Sequence, residues 1–243
     1  MSIQHTIAFQ GVPGAYSHLS CQAFCPEWKA IAYESFSGML RAVQVGECNA
    51  AMVPVENSTA GRVADIHRLL PNSGLHIIAE HFQPVNHQLL GVKGAKLSDI
   101  KEAHSHEQGL AQCREKLEVL GITPVIHSDT AGAARDVKRW DDPTKAAIAS
   151  KLASDIYGLV VLMDHITDMS VNTTRFLVMK KQMHVPDISS EPTHCTFVFS
   201  LRSVPAALYK ALGGFATNGI NLTKIESYMS GDQMQAAQFY IDC

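Results

Sequence analysis

Thr6-Ile7-Ala8-Phe9-Gln10-Gly11-Val12-Pro13-Gly14-Ala15-Tyr16-Ser17 is the stretch that decides the fold class. Its first five residues form a short β-prone run, and two glycines with a proline then interrupt regular structure. Residues 17–24 follow with apolar side chains three and four apart, as a one-sided helix requires. Strand, glycine-rich turn and helix make the opening of a βα unit, and the same step recurs outward along the chain. Further strands are expected at residues 29–33, 50–54, 75–84, 87–92, 100–103, 123–126, 146–149 and 175–180, and helices at 36–45, 62–70, 108–120, 131–138 and 151–157. This alternation predicts an α/β fold with mostly parallel sheets as far as about residue 181.

Residues 182–193 (QMHVPDISSEPT) hold two prolines and two serines with little apolar periodicity, so a linker is expected at 183–192 between residues 1–182 and 193–243. Beyond it come an alternating strand at 193–202 and a helix opening at Pro205 and closing at Asn218 and Gly219. Two strands at 221–229 and 235–242 then follow, joined by a Ser230-Gly231-Asp232 turn. A β-α-β-β sheet of this kind has a helix on one face and normally continues with another helix and strand, so the last domain is expected to be incomplete at Cys243.

With 243 residues, 46% of them hydrophobic and 18% charged, the chain is long enough to bury a substantial core. A net charge of −3, from 20 Lys and Arg against 23 Asp and Glu spread along the whole length, leaves no basic stripe for nucleic acid or a membrane surface. A small-molecule partner is expected instead. Residues 1–9 lack a basic start followed by a long apolar run, and nowhere do about eighteen apolar residues stand together, so a cytoplasmic protein is expected. Cys21, Cys25, Cys48, Cys113, Cys195 and Cys243 show no zinc-type spacing and in that compartment are expected as thiols, with Cys21 and Cys25 one helical turn apart. His104 and His106 lie two apart, but no second pair completes a metal site, so no metal is expected.

Four loop-like segments share small residues and hydroxyls where a strand ends and a helix begins: Gly11 to Ser17 (GVPGAYS), Glu56 to Gly61 (ENSTAG), Ser105 to Gly109 (SHEQG) and Ser128 to Ala133 (SDTAGA). Unpaired N–H groups at helix starts suit a carboxylate or phosphate, and the carboxyl edge of α/β strands is where ligands sit. The plain alternative is that Ser, Thr and Asp merely cap helices there. A fifth segment, Asn172-Thr173-Thr174-Arg175-Phe176, places a hydroxyl beside a guanidinium at the start of an apolar strand. Strand neighbours point to opposite faces, so Thr174 and Arg175 enter one cleft only if the backbone departs from the pleat.

Taken in order, these segments resemble the prephenate dehydratase family: GVPGAYS, Val53 to Gly61 (VPVENSTAG), SHEQG, Asp129 to Ala134 (DTAGAA), Ala146 to Ser150 (AAIAS), and Thr174-Arg175-Phe176 preceded by Asp168 and Asn172. The part after the linker is similar to an ACT domain. Pro205-Ala206-Ala207-Leu208, Asn218-Gly219-Ile220-Asn221 and Glu226-Ser227 match that domain's ligand segments. Departures are Glu107-Gln108-Gly109 for the family's Pro-Gln-Ala, Ala206-Ala207-Leu208 for Gly-Ala-Leu, and Glu226-Ser227-Tyr228-Met229 for Glu-Ser-Arg-Pro.

The resemblance implies a two-lobed catalytic domain like the type II periplasmic binding proteins, with residues 1–80 and 168–182 in lobe one and 81–167 in lobe two, then a truncated ferredoxin-like ACT domain. It implies decarboxylating dehydration of prephenate to phenylpyruvate without a cofactor, a homodimer or homotetramer, and phenylalanine as allosteric ligand. Thr174 is the expected catalytic donor to the departing hydroxyl. Tyr16, Ser17, Asn57, Ser58, Thr59, His106, Gln108, Arg175 and Phe176 are expected to bind substrate, with bracing of the strand the alternative for Arg175, and Glu56 is expected to be structural. Phenylalanine is expected to meet Pro205, Ala206, Ala207, Leu208, Asn218, Gly219, Ile220, Asn221, Glu226 and Ser227. Arogenate dehydration and a non-catalytic amino-acid sensor are the alternative functions.

Overall fold

The computed structural model describes residues 4–184, 194–230 and 235–243, so most of the expected linker and the expected Ser-Gly-Asp turn lie outside the described residues. The described backbone forms two compact units, one ending at residue 184 and the other beginning at residue 194.

The first unit begins β1 (Thr6–Gln10), α1 (Tyr16–Phe24), β2 (Lys29–Tyr33), α2 (Phe36–Gln44), β3 (Ala50–Asn57), β4 (Gly61–Arg62), α3 (Ala64–Leu69) and β5 (His76–Pro84). It continues β6 (Gln88–Gly91), β7 (Glu102–Ser105), α4 (Glu107–Ala111), α5 (Arg114–Leu120), β8 (Thr123–Ile126), α6 (Thr130–Trp140), β9 (Lys145–Ala149), α7 (Lys151–Tyr157) and β10 (Val160–Met163), and closes with β11 (Thr173–Lys180). These strands make two sheets: β2-β1-β3-β11-β5, with β4 beside β3, and β10-β6-β9-β7-β8. The chain leaves the first sheet, builds the second and returns, which is the two-lobed arrangement with two crossings. Because β5 stays paired with β11 as far as Pro84 opposite Thr173, the first crossing lies beyond Pro84 rather than at residue 80.

The sheets are mixed, not mostly parallel. Among the described residues, parallel pairing is confined to β1 with β2 and β3, and to β7 with β8 and β9. The strands that follow a crossing run against their neighbours: β11 is antiparallel to β3 and β5, and β6 to β9 and β10. A strand reached from the other lobe carries no helical crossover over its own sheet, and that crossover is what enforces parallel pairing.

Alternation along the strands divides each lobe's core between the two faces of its sheet. In lobe one, Ile7, Phe9, Met52, Phe176 and Val178 pack on one face, while Ala8, Ala51, Val53, Leu177 and Met179 meet α2 and α3 on the other. In lobe two, Leu89, Ala146 and Ile148 pack with α4 and α5, whereas Leu90, Ala147 and Ala149 pack with α6 and α7. Each fully buried large side chain among these contributes about 1.5–3 kcal/mol.

The helix expected over residues 108–120 is two helices, broken at Gln112 and Cys113. The break exposes amides at the start of α5, and the Asp168 carboxylate accepts from Glu115 N at 2.9 Å and Lys116 N at 3.1 Å. A residue on the returning crossing therefore caps a lobe-two helix, as an N-cap side chain would.

The second unit holds β12 (Thr196–Ser200), α8 (Ala207–Thr217), β13 (Lys224–Ser230) and β14 (Gln235–Asp242). Its sheet is antiparallel in the order β12-β14-β13, the expected β-α-β-β arrangement, with Ile241 of the central strand fully buried.

Candidate active site

Polar side chains from both lobes of the first unit form one connected chain of hydrogen bonds. The Tyr16 hydroxyl, at the start of α1, lies 3.1 Å from His87 Nδ1, and His87 Nε2 lies 3.1 Å from Gln112 Oε1. Gln112 Nε2 donates to Thr59 Oγ1 at 2.6 Å, and the Thr59 hydroxyl donates to Asn57 Oδ1 at 2.8 Å. Asn57 Nδ2 then donates to Thr174 Oγ1 at 2.9 Å and to Asn172 Oδ1 at 2.7 Å, while Asn172 Nδ2 returns to Gln112 Oε1 at 2.8 Å.

The donors fix one another's direction. A carboxamide oxygen only accepts, so His87 must carry its proton on Nε2, which leaves Nδ1 to accept from the Tyr16 O–H. Burial supports this neutral form: His87 is 3% exposed, and desolvation pulls its pKa down to about 4 against a smaller opposing pull from its bond to Gln112. Desolvation likewise raises Tyr16 well above the usual phenol range, so the hydroxyl keeps its proton. At the far end Thr174 Oγ1 accepts from Asn57, and among the described residues its own O–H donates to none.

Local sequence explains the tight end of this chain. Asn57 ends β3 and forms an Asx-type turn, its Oδ1 also accepting from Thr59 N at 3.0 Å and Ala60 N at 2.9 Å. Ser58 joins the turn to β11, accepting through Oγ from Thr173 N at 3.0 Å and donating its own N–H to Thr173 O at 2.9 Å. Opposite β3, the register of β11 slips between Arg175, which faces Glu56, and Phe176, which faces Pro54. The extra residue, Val55, lies on β3, and β11 keeps regular pairing with β5 from Thr173 to Phe176, so Thr174 and Arg175 stay on opposite faces: Thr174 joins the chain of bonds and Arg175 does not.

Loop 11–17 ties the lobes together at a second place. Ser150 caps α7 and its hydroxyl donates to Gly14 O at 2.6 Å, and Tyr157 donates to Pro13 O at 2.7 Å. Gly14 has φ +92°, and a Cβ there would lie 2.9 Å from Ala153 Cα, so both the backbone and the packing require glycine.

Other expected positions lie outside this chain of bonds. Arg175, its side chain 14% exposed, donates to Glu56 Oε1 at 3.0 Å and to Glu80 Oε2 at 2.9 Å, the geometry of a strand brace. Phe176 is 1% exposed in the lobe-one core among Ile7, Phe9 and Met52, so its ring is occupied by packing rather than offered to a ligand. His106 caps α4, accepting from Gln108 N at 3.3 Å, while the Gln108 side chain is exposed. Asp129 caps α6, accepting from Gly132 N at 2.6 Å, so in this segment the capping role is realised. Ser17 stands in the first turn of α1, half-buried.

His87, Gln112 and Asn172 were not among the expected binding residues. Asn172 stood inside the quoted motif, whereas His87 and Gln112 carry no local signal: one follows an asparagine before a strand, the other sits inside an apparently continuous helix.

In the second unit, Ala206 precedes α8 with φ +61°, and Asn218 and Gly219 end the helix, Gly219 at φ +68°. Glu226 is already engaged, by Lys224 Nζ at 3.2 Å and the Tyr228 hydroxyl at 2.8 Å.

Comparison with known proteins bears on the whole chain. Residues 7–184 match the family model for prephenate dehydratase. The chain is 43% identical over 242 residues to a bifunctional N-acyl-homoserine lactone acylase/prephenate dehydratase of Komagataeibacter europaeus, covering 100% of this chain and 86% of that protein. It is 42% identical over 221 residues to arogenate dehydratase/prephenate dehydratase 1 of Arabidopsis thaliana, covering 91% of this chain but only 56% of that protein, so it spans just over half of this plant relative. Among solved structures, a prephenate dehydratase from Arthrobacter aurescens in complex with L-Phe superposes with a TM-score of 0.87 at 31% identity, covering 98% of this chain and 79% of that one. The quorum-quenching acylase GqqA superposes with a TM-score of 0.89 at 44% identity, covering 98% of this chain and 86% of that one. The chain belongs to the prephenate dehydratase family.

Proposed function

We propose that this chain catalyses the decarboxylating dehydration of prephenate to phenylpyruvate, with Thr174 as donor to the departing hydroxyl. The observation that carries the reading is the aim of one hydrogen: Thr174 Oγ1 is fixed by Asn57 as an acceptor, which leaves its O–H for an external oxygen. In the reaction the ring carboxylate leaves as carbon dioxide, its bonding electrons enter the ring, and the opposite hydroxyl departs as the ring becomes aromatic. Aromatisation supplies the driving force, and the protein needs only to orient the ring and stabilise charge growing on the leaving oxygen. A threonine is too weak an acid to ionise, but as a hydrogen-bond donor its O–H suits that oxygen. No coenzyme chemistry is called for.

Asn57, Thr59, Gln112, His87 and Tyr16 act in this reading as positioning residues that hold Thr174. Ser17, Ser58, His106, Gln108 and backbone N–H groups are assigned to the substrate carboxylates, and Arg175 to bracing β11. In the second unit, the loop before α8 and the turn after it are assigned to phenylalanine, in line with the L-Phe complex of the Arthrobacter aurescens relative. Paired copies of the chain are proposed as the regulated form.

The test is turnover of prephenate, read as phenylpyruvate, beside arogenate, read as phenylalanine. Thr174→Val is expected to lower kcat by roughly 10²–10³ with KM little changed, the cost of removing one donor to developing negative charge. Thr174→Ser is expected to keep most of the activity. Full turnover by Thr174→Val rejects the assignment, and no turnover of either substrate by the unaltered chain favours a sensor. A second reading, amide hydrolysis of N-acyl-homoserine lactones, is favoured by the likeness to the Komagataeibacter europaeus protein over the whole of this chain and is scored on the same preparation with an acyl-homoserine lactone.

A further inference from the structure

Cys195 and Cys243 are joined by two backbone hydrogen bonds, Cys195 N to Cys243 O at 2.9 Å and Cys243 N to Cys195 O at 3.0 Å. This reciprocal exchange extends the β12–β14 ladder, in which Thr196 faces Asp242, by one residue pair and sets the two cysteines directly opposite each other. In such a hydrogen-bonded pair the Cα atoms stand about 5.5 Å apart, inside the range of about 4.4–6.8 Å that a disulfide spans. Side chains of directly opposed residues leave the sheet on the same face. Cys243 Sγ already lies toward the partner strand, 3.8 Å from Cys195 O. Both are free thiols, Cys195 exposed and Cys243 half-buried, whereas Cys21, Cys48 and Cys113 are buried and Cys25 is half-buried.

We propose that Cys195 and Cys243 form a reversible cross-strand disulfide in the second unit, made by a hydroperoxide and undone by thiols. The exposed Cys195 thiolate attacks the terminal peroxide oxygen. The O–O bond breaks, an alcohol or water leaves, and Cys195 becomes a sulfenic acid. The Cys243 sulfur then attacks Cys195 Sγ, forming the S–S bond and expelling the hydroxyl, which leaves as water with the Cys243 proton. Two thiols are oxidised by one electron each and the peroxide is reduced by two.

Geometry makes this bond easily broken. Opposed Cβ atoms stand about 4.5–5.5 Å apart, at the wide end in hydrogen-bonded pairs, while a relaxed disulfide holds them at about 3.8 Å. Closing that gap strains the bond, and strained, exposed disulfides are the reducible ones. Desolvation first, then the neighbouring Cys195 and Asp242, raise the Cys243 thiol and so disfavour it for the first attack, which falls to the exposed Cys195.

The experiment exposes the intact chain to hydrogen peroxide, blocks remaining thiols with iodoacetamide, and digests with trypsin without reductant. The expected product is a linked pair of peptides, residues 182–202 with 225–243, lighter by two hydrogens than their sum and separated again by glutathione. In Cys243→Ser the link is expected to vanish and the Cys195 sulfenic acid to be captured by dimedone. Recovery of both peptides unlinked, a Cys195 sulfinic acid in the unaltered chain, or a link between two copies of residues 182–202 overturns the proposal.

Discussion

His87 offers the sharpest test of the hydrogen-bond chain, because burial has separated its native and unfolded proton affinities. The perturbation is acid. The native pKa is about 4, while the exposed imidazole titrates near 6.5. Between those values the unfolded chain binds a proton that the native protein refuses, so stability is complete above the unfolded value and falls as pH drops toward the native one. From about pH 7 to about pH 4.5 this one group removes about 2–3 kcal/mol of unfolding free energy. Urea unfolding at the two pH values measures the loss, with His87→Gln as the reference. A glutamine keeps one acceptor for Tyr16 and one donor for Gln112 but takes up no proton, so carboxylates and the other histidines contribute equally to both proteins. The variant is expected to lose about 2–3 kcal/mol less than the unaltered chain over the interval. Equal acid losses in the two proteins refute a neutral, buried His87 and, with it, the donor order that aims Thr174.

Arg175→Leu leaves Glu56 and Glu80 facing each other without their shared cation, and is expected to cost about 2 kcal/mol by urea unfolding, less than for a fully dry pair because both carboxylates keep some water. Gly14→Ala places a methyl 2.9 Å from Ala153 Cα at a φ of +92° and is expected to destabilise the first unit by about 2–3 kcal/mol, seen as a lower Tm and a higher KM for prephenate. Ala206→Gly relieves a left-handed alanine before α8 and is expected to stabilise the second unit by about 1 kcal/mol, measured as slower amide exchange in β12 and α8.

Element types in the first unit were legible because most strands and helices carry their own periodicity: β1, β2 and β8 fall on the expected residues. β10 went unexpected although Val160 and Val161 are β-branched, since four residues directly after a helix give no repeat to count. Strand direction was not legible, because it depends on which lobe a strand is entered from. The break at Gln112 and Cys113 was hidden for a similar reason: its cap, Asp168, arrives from a distant crossing, and the local pattern still alternates as one helix does. Within the site, Asn57, Thr59 and Thr174 belong to motifs that advertise themselves, while His87 and Gln112 gain their parts only from tertiary placement. Phe176 shows the opposite error, a motif residue whose ring serves the core.

Among the described residues Tyr16 and Thr174 share no hydrogen-bond partner, yet the wire between them has a single polarity, each proton pointing from the first toward the last. Reversing any one amide would set donor against donor at its neighbour, so the whole row flips together or not at all. Pruning the phenol at residue 16 therefore speaks to the hydroxyl at residue 174 across a long stretch of primary structure, and neither lobe made alone can hold that message.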